Sequence, residues 1–322
     1  MNKALLEVSN LKTHYFTSGG IVKAVDGISF ELQEGETLGV VGESGCGKSS
    51  IGLSIMRLVP NPPGRIVEGQ ILLKGEDLLQ KSERDMIKIR GANVAMSFQD
   101  PTTYLNPVMR VGDQICEAVV NHQHINKKEA MKTVLKALEH MGIPSPSKMA
   151  LSYPFQLSGG MRQRVMIAMS LSCRPEILIA DEPTIAVDVI IQAQIIDLLK
   201  QMQDELGTSF LLITHDFGLV AELSDKVAVI YAGKIVEYGD LRAILSDPLH
   251  PYTRGLLESI PTLKSGRRRL KGIPGTIPDL INPPSGCRFH TRCSSAQRDC
   301  REIEPPLIRY GREHFVACHV LA

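Results

Sequence analysis

Gly42-Glu43-Ser44-Gly45-Cys46-Gly47-Lys48-Ser49 decides how the rest of the chain is read. It fits G-x-x-x-x-G-K-S, a phosphate-binding loop. Before it, Thr37 to Val41 is short, apolar and β-branched at its end, which predicts a buried strand. After it, Ile51, Ser54, Ile55 and Leu58 recur at helical spacing. Strand, glycine loop and helix together are the context such a loop needs. Glycine lets backbone N–H groups turn inward with no Cβ in the way. Those N–H groups and the helix N-terminus make a positive cradle for phosphates. Lys48 is then expected to reach the outer phosphates, and the Ser49 hydroxyl to ligate Mg2+.

Composition bounds the remainder. The chain has 322 residues and an apolar fraction of 43%, enough for one large domain or two modest ones. A net charge of +1 gives no broad basic field, so a nucleic-acid partner is not expected. The short basic run Arg267-Arg268-Arg269 with Lys271 reads as a solvated linker. No apolar run approaches the ~18 residues that span a bilayer. Met1 to Asn10 lacks the apolar stretch of a secretory signal. A soluble, cytoplasmic chain is therefore expected. Seven cysteines are an odd set, unlike a disulfide framework, and four of them crowd into the last 36 residues.

Outward from the loop, residues 4–11 and 28–38 predict an antiparallel β layer with turns at Gly19-Gly20 and Glu34-Gly35-Glu36. Tyr15 beside the first turn either stacks on a purine base or fills a half-buried strand position. Residues 66–75 predict another strand, Glu83 to Ile89 a polar helix, and Asn93 to Phe98 a strand ending in Gln99-Asp100-Pro101. From Val111 to about Tyr153 the pattern turns helical. Val111, Ile115, Ala118 and Val119 share one face, as do Ala130, Val134, Ala137, Leu138 and Met141. This stretch predicts a helical insertion in an α/β domain. Leu157-Ser158-Gly159-Gly160 opens a helix over Met161 to Cys173, a second terminus with N–H groups available to an anion. Ile177 to Ala180 predicts a strand running into Asp181-Glu182-Pro183. Two acids at the C-terminal edge of a parallel sheet stand where open α/β sheets bind ligands. Asp181 is a candidate Mg2+ ligand and Glu182 a candidate to orient or activate water. Ile190 to Leu206 predicts an amphipathic helix. Ser209 to Ile213 predicts a buried strand ending in Thr214-His215-Asp216, which makes His215 a candidate phosphate contact. Lys226 to Tyr231 and Lys234 to Tyr238 predict a closing hairpin, so the core is expected to end near Asp247.

In order, the phosphate loop, Gln99, Leu157-Ser158-Gly159-Gly160, Asp181-Glu182, Asp188 and His215 resemble the motifs of an ABC-transporter ATP-binding subunit. The resemblance covers residues 1 to about 250. It implies an α/β fold: a P-loop NTPase core with an antiparallel β layer and a helical subdomain at about 100–157. It implies ATP and Mg2+ as cofactors and a head-to-tail dimer with two nucleotides between its subunits. Tyr15 carries over as the adenine-stacking aromatic. Gly42, Glu43, Ser44, Gly45, Cys46, Gly47, Lys48, Ser49 and Ser50 carry over as the nucleotide cradle. Ser158, Gly159 and Gly160 would contact the partner's nucleotide, Asp188 would lie in the loop crossing the interface, and Gln99 would link the Mg2+ site to the membrane subunit. Glu182, His215, Lys48 and Gln99 form the expected catalytic set, and Ser49, Gln99 and Asp181 the Mg2+ set. Soluble repair or chromosome ATPases of the same superfamily carry a long insertion, and residues 100–156 are too few for a long coiled coil.

Leu105-Asn106-Pro107 and His250-Pro251-Tyr252-Thr253 narrow the resemblance to subunits of oligopeptide, dipeptide and nickel importers, of the dipeptide-permease D-type. ATP-driven peptide import is the implied function, with nickel or a metal chelate as the alternative cargo. The implied partners are a second, similar ATP-binding subunit, two permease subunits and an extracytoplasmic binding protein, with this chain peripheral on the cytoplasmic face. The sequence departs from the pattern at Ile185, Val187 and Ile190, near the interface loop, and at Tyr104, where serine is usual. Beyond residue 250, the extension 251–322 holds Cys287, Cys293, Cys300 and Cys318, spaced C-x5-C-x6-C-x17-C among prolines and charges. With little apolar material there, a metal centre is expected to supply stability. Thiolates suit zinc and iron–sulfur clusters alike, and His290, His314 and His319 lie near. The resemblance favours a [4Fe–4S] cluster, with zinc as the alternative. Cys46, Cys116 and Cys173 read as packing or loop residues.

Overall fold

A computed structural model describes residues 4–185, 188–260, 272–311 and 313–321. The Arg267–Lys271 basic run and Val187 lie outside the described residues. The chain divides into two compact units: unit 1 holds 1–32, 37–79 and 213–322, and unit 2 holds 33–36 and 80–212.

Unit 1 opens with a long hairpin, β1 (Leu6–Thr17) and β2 (Gly20–Leu32), turning at the glycine pair. Alternation buries Leu6, Val8, Leu11, Val25, Ile28, Phe30 and Leu32 on one face. The buried strand β3 (Thr37–Val41) follows, then α1 (Lys48–Ile55). A buried bond of 2.7 Å between Thr13 Oγ1 and Ser54 Oγ ties α1 to β1. β4 (Gly64–Leu73) pairs antiparallel with β1, and β5 (Glu76–Asp77) ends that layer.

Unit 2 begins with α2 (Glu83–Ile89), capped by Ser82, and β6 (Val94–Ser97). Then come α3 (Pro101–Tyr104), α4 (Val111–Gln123), α5 (Lys127–His140), α6 (Pro146–Met149) and α7 (Gly159–Leu171). The apolar faces read from the sequence are the buried ones: Val111, Ile115 and Val119 of α4, and Ala130, Val134 and Leu138 of α5. β7 (Ile177–Asp181) runs parallel to β6 in the register Val94↔Ile177 to Ser97↔Ala180. After α8 (Val189–Leu206), β8 (Ser209–Thr214) starts beside β7, with Ser209 N–H donating to Glu176 O at 2.8 Å. β8 carries the chain back into unit 1.

There, α9 (Phe217–Leu223) packs on β3, and β9 (Lys226–Tyr231) pairs parallel with it. β10 (Lys234–Asp240) turns back antiparallel on β9. Helices α10 (Leu241–Ser246), α11 (Pro251–Glu258) and α12 (Asp299–Glu302) follow, then β11 (Ile308–Arg309) and β12 (His314–Val316). β12 adds to β10 through Glu237↔Val316, Tyr238↔Phe315 and Gly239↔His314. The tail is therefore not short of apolar packing, contrary to expectation. Leu249, Val316 and Cys318 are buried together, with Val320 and Leu321 packed against them. The expectation failed because the tail borrows apolar partners from β10 and the Leu249 turn, which its own composition does not reveal.

Candidate functional site

The phosphate loop is fixed by steric contact of its backbone. A Cβ on Gly42 would come within 2.2 Å of Ile230 O, and one on Gly47, at φ +102°, within 1.8 Å of Ala24 O. Only glycine fits at either position. Gly233 N–H donates to Cys46 O at 2.9 Å, which pins the loop to the β9–β10 turn. Cys46 is buried behind the loop, and that burial pushes its thiol up to about 11. Lys48 folds back over the loop: Nζ donates to Gly42 O at 2.7 Å and Glu43 O at 3.1 Å. Lys48 is buried, and Ser49 follows it as the second residue of α1. Ser50 Oγ lies 3.0 Å from Tyr15 Oη, so Tyr15 is held beside the loop. His215 follows β8 in the same unit, on the surface.

Unit 2 gathers the other candidates. β6 and β7 are parallel, so Gln99, two residues past β6, and Asp181-Glu182, at the end of β7, leave the same sheet edge. Asp181 and Glu182 are only 4% and 7% exposed. Glu182 has φ +49°, a left-handed backbone that a glutamate adopts at a cost and that is concentrated at functional sites. Gln99 is exposed. Its neighbour Asp100 caps α3, and Thr103 Oγ1 and Thr102 N–H hold the Asp100 carboxyl below its ordinary range. Tyr104, the departure from the family pattern, stacks on Phe98 with ring centroids 4.0 Å apart. Ser158 caps α7 by accepting from Met161 N–H at 3.3 Å, with Gly159 and Gly160 forming the open first turn. Asp188 caps α8, accepting from Ile191 N–H at 2.9 Å, and Val189 and Ile190 beside it are 80% and 71% exposed.

With this geometry in view, the comparisons are specific. The ABC transporter family profile matches residues 25–185, and that of the oligopeptide/dipeptide transporter C-terminal region matches 236–300. The chain is 51% identical over 318 residues to the oligopeptide transport ATP-binding protein OppD of Bacillus subtilis (strain 168), covering 98% of this chain and 89% of that one. This chain belongs to the ABC transporter ATP-binding family. The dipeptide transport ATP-binding protein DppD of Escherichia coli (strain K12) is 46% identical over 316 residues, covering 98% and 96%. Among solved structures, a dimeric post-hydrolysis state of the ATP-binding cassette MJ0796 bound to ADP and Pi superposes with a TM-score of 0.67. It is 26% identical and covers 74% of this chain and 99% of that one.

In this ABC subunit the four tail cysteines lie in unit 1 and form no disulfide. Burial first, then the nearby Cys300, Cys318 and Cys293, pushes the Cys287 thiol up to about 11. Gln297 N–H lies 3.5 Å from Cys300 Sγ. Among the described residues, no three His, Cys, Asp or Glu side chains converge to hold a metal ion.

Two contacts of the loop were not legible. Glu43 N–H donates to Tyr252 Oη at 2.9 Å, and the Glu43 carboxylate pairs with Arg292. The His250–Thr253 motif marked the first partner only as a family signature. No local pattern marks the second.

Proposed function

We propose that this subunit hydrolyses ATP to drive import of di- and oligopeptides through membrane permeases. The observation that carries the reading is 51% and 46% identity, over 98% of the chain, to peptide-transport ATP-binding proteins, in a chain whose phosphate loop, Gln99, Ser158-Gly159-Gly160, Asp181-Glu182 and His215 are all present. Nothing in the chain favours nickel or a metal chelate over peptide. No helix among the described residues is long and apolar enough to cross a membrane; separate permease subunits are the path in this reading.

The cradle fits phosphate: positive-φ glycines, an α1 N-terminus and a lysine whose ammonium now rests on loop carbonyls. In the proposed mechanism Lys48 exchanges those carbonyls for β- and γ-phosphate oxygens, and Gly42 to Ser50 supply N–H and hydroxyl donors. Tyr15 stacks on the adenine. Ser49, Asp181 and Gln99 offer hydroxyl, carboxylate and amide oxygens, the hard donors that suit Mg2+, which when bound neutralises phosphate charge. Glu182 holds and polarises the attacking water, and His215 positions the γ-phosphate. Ser158, Gly159 and Gly160 present the α7 N-terminus to nucleotide held by a second, similar ATP-binding subunit. The exposed Val189 and Ile190 beside Asp188 support that face as the subunit interface. A groove of about 590 Å3 in the helical insertion, lined by Met109, Arg110, Glu117 and Tyr153 among others, supports permease docking on the cytoplasmic face.

Residues 1–250 form the nucleotide-binding domain and 251–322 its extension in this reading. For the extension we propose a [4Fe–4S] cluster on Cys287, Cys293, Cys300 and Cys318, or zinc. It is supported by the four-sulfur donor set of the sequence alone, since the described side chains are not gathered as metal ligands, and no step of hydrolysis runs through it.

The test pairs turnover with uptake. Glu182→Gln should bind ATP as the parent does and lose turnover by on the order of 10²–10⁴-fold. Cells lacking the gene should fail to accumulate labelled peptide, and regain uptake with the parent gene but not with E182Q. Undiminished peptide uptake in the deletion strain would sink the cargo assignment.

A further inference from the structure

A carboxylate at the second position of a phosphate loop is electrostatically adverse, since it stands beside the polyanion the loop binds. Glu43 is such a carboxylate, and it is answered from 249 residues away. Arg292 Nη1 lies 2.6 Å from Glu43 Oε2 and Nη2 lies 3.1 Å from Oε1, a two-pronged pair. The Arg292 side chain is 4% exposed. Its remaining donors are committed: Nε to Pro274 O at 2.8 Å, Nη2 also to Ile273 O at 3.4 Å, and Nη1 to Tyr231 Oη at 3.4 Å. The guanidinium lies 5.7 Å from the centroid of the Tyr231 ring, which meets Tyr252 and Phe289 edge-on at 4.6 and 5.1 Å. Tyr252 Oη in turn accepts the Glu43 N–H. Backbone and side chain of one loop residue are therefore both gripped by the segment that follows β10.

We propose that Arg292 is a positioning residue for the phosphate loop: it neutralises Glu43 and holds it aside, so that the C-terminal tail sets the loop's affinity for nucleoside triphosphate. This rests on the reading of Gly42–Ser49 as the ATP site. A purely architectural pair would fasten the tail to the core and leave nucleotide affinity alone. A positioning pair releases an uncompensated carboxylate toward the phosphates when Arg292 is lost, and deleting that carboxylate as well repairs the damage. Coupling of this kind is reciprocal, so bound nucleotide also steadies the tail.

The experiment measures equilibrium binding of a fluorescent ATP analogue, steady-state hydrolysis and thermal melting on the full chain with its ATPase partner. The parent protein must bind the analogue; if it does not, the ATP-site reading fails by itself, separately from Arg292. Given binding, Arg292→Ala should weaken it about tenfold and raise KM alike, with kcat at saturating ATP lowered less than about threefold. Glu43→Gln combined with Arg292→Ala should return affinity to within about threefold of the parent. Affinity of a folded R292A within twofold of the parent, or a double variant as weak as R292A, would overturn the proposal. Should R292A not fold, Arg292→Lys keeps the charge without the fork. It should bind two- to fivefold more weakly, and Glu43→Gln should restore it; unchanged affinity in R292K, or no restoration, also overturns the proposal.

Discussion

The phosphate loop and the cysteine-bearing tail both anchor at the β9–β10 turn, but different physics holds each. The loop is held by its backbone: Gly42 against Ile230 O, Gly47 against Ala24 O, and Gly233 N–H on Cys46 O. The tail, beyond its β12 pairing and apolar cluster, is fastened by charged side chains. Arg288 pairs with Asp26 and donates to Ala232 O, Arg292 pairs with Glu43, and His314 Nε2 donates to Glu237 Oε1 at 2.7 Å. Steric contacts of the first kind tolerate no adjustment. Ion pairs of the second kind respond to charge, pH and partner occupancy. The phosphate-binding backbone of the subunit therefore sits on the first kind of scaffold, and its adjustable part on the second.

The largest effect should come from breaking the backbone scaffold. Gly47→Ala forces a side chain into a left-handed backbone and a 1.8 Å clash with Ala24 O. The loop has to move by more than 1 Å, which should cost nucleotide binding on the order of 10²-fold or more. Titration with labelled ATP checks this. Near-parental affinity in G47A would mean that the loop is far more compliant than its contacts suggest.

The tail should give a smaller and different response. Glu237 is fully buried and accepts from Leu249 N–H at 2.8 Å, His250 N–H at 3.0 Å and the His314 ring. His314→Ala removes the side-chain partner and leaves a buried carboxylate underpaired. A loss of about 3 kcal/mol is expected in denaturant unfolding, with β12 opening first. Proteolysis after residue 300 at denaturant levels that leave the phosphate loop intact would report the separation of the two regions. Simultaneous loss of both would break the comparison.

The same contrast decides what the sequence disclosed. The loop, β6, β7 and the helices over 111–140 were legible because their determinants are local: glycine spacing, a strand of β-branched residues, a 3.6-residue apolar period. The paired acids Asp181-Glu182 and the cap Ser158 were legible for the same reason. Arg292 was not, since a lone arginine beside a cysteine looks like any other, and its partner is 249 residues away. The Glu237–His314 pair and the burial of Val316 were hidden likewise, because β12 finds its partner strand only in the folded chain. Periodicity reports which face of an element is buried, and carries no information on which distant charge will meet it.

The smallest effect, on pH, sharpens the comparison further. His250 caps α11 by accepting the Tyr252 N–H on Nδ1 at 3.1 Å, beside Phe289, and is almost wholly buried. Burial, aided by the nearby Arg254 charge, lowers its pKa to about 3 from an ordinary 6.5. The folded state holds it neutral, whereas the unfolded chain takes up a proton below about pH 6.5. The unfolded state then binds more protons, so stability falls as pH drops from 6.5 toward 3, at ~1.4 kcal/mol per unit. At pH 5 the loss from this group is about 2 kcal/mol. Asparagine keeps an oxygen for the cap and has no proton to gain. His250→Asn should therefore lose about 2 kcal/mol less than the parent between pH 7 and pH 5 in urea unfolding. Parallel pH profiles for the two proteins would show that the imidazole is solvated, and that the α11 end of the tail is looser than its packing on Phe289 indicates. A converging profile would show the imidazole held neutral by its burial in the folded chain, so that the α11 end of the tail, unlike the sterically fixed phosphate loop, answers to pH.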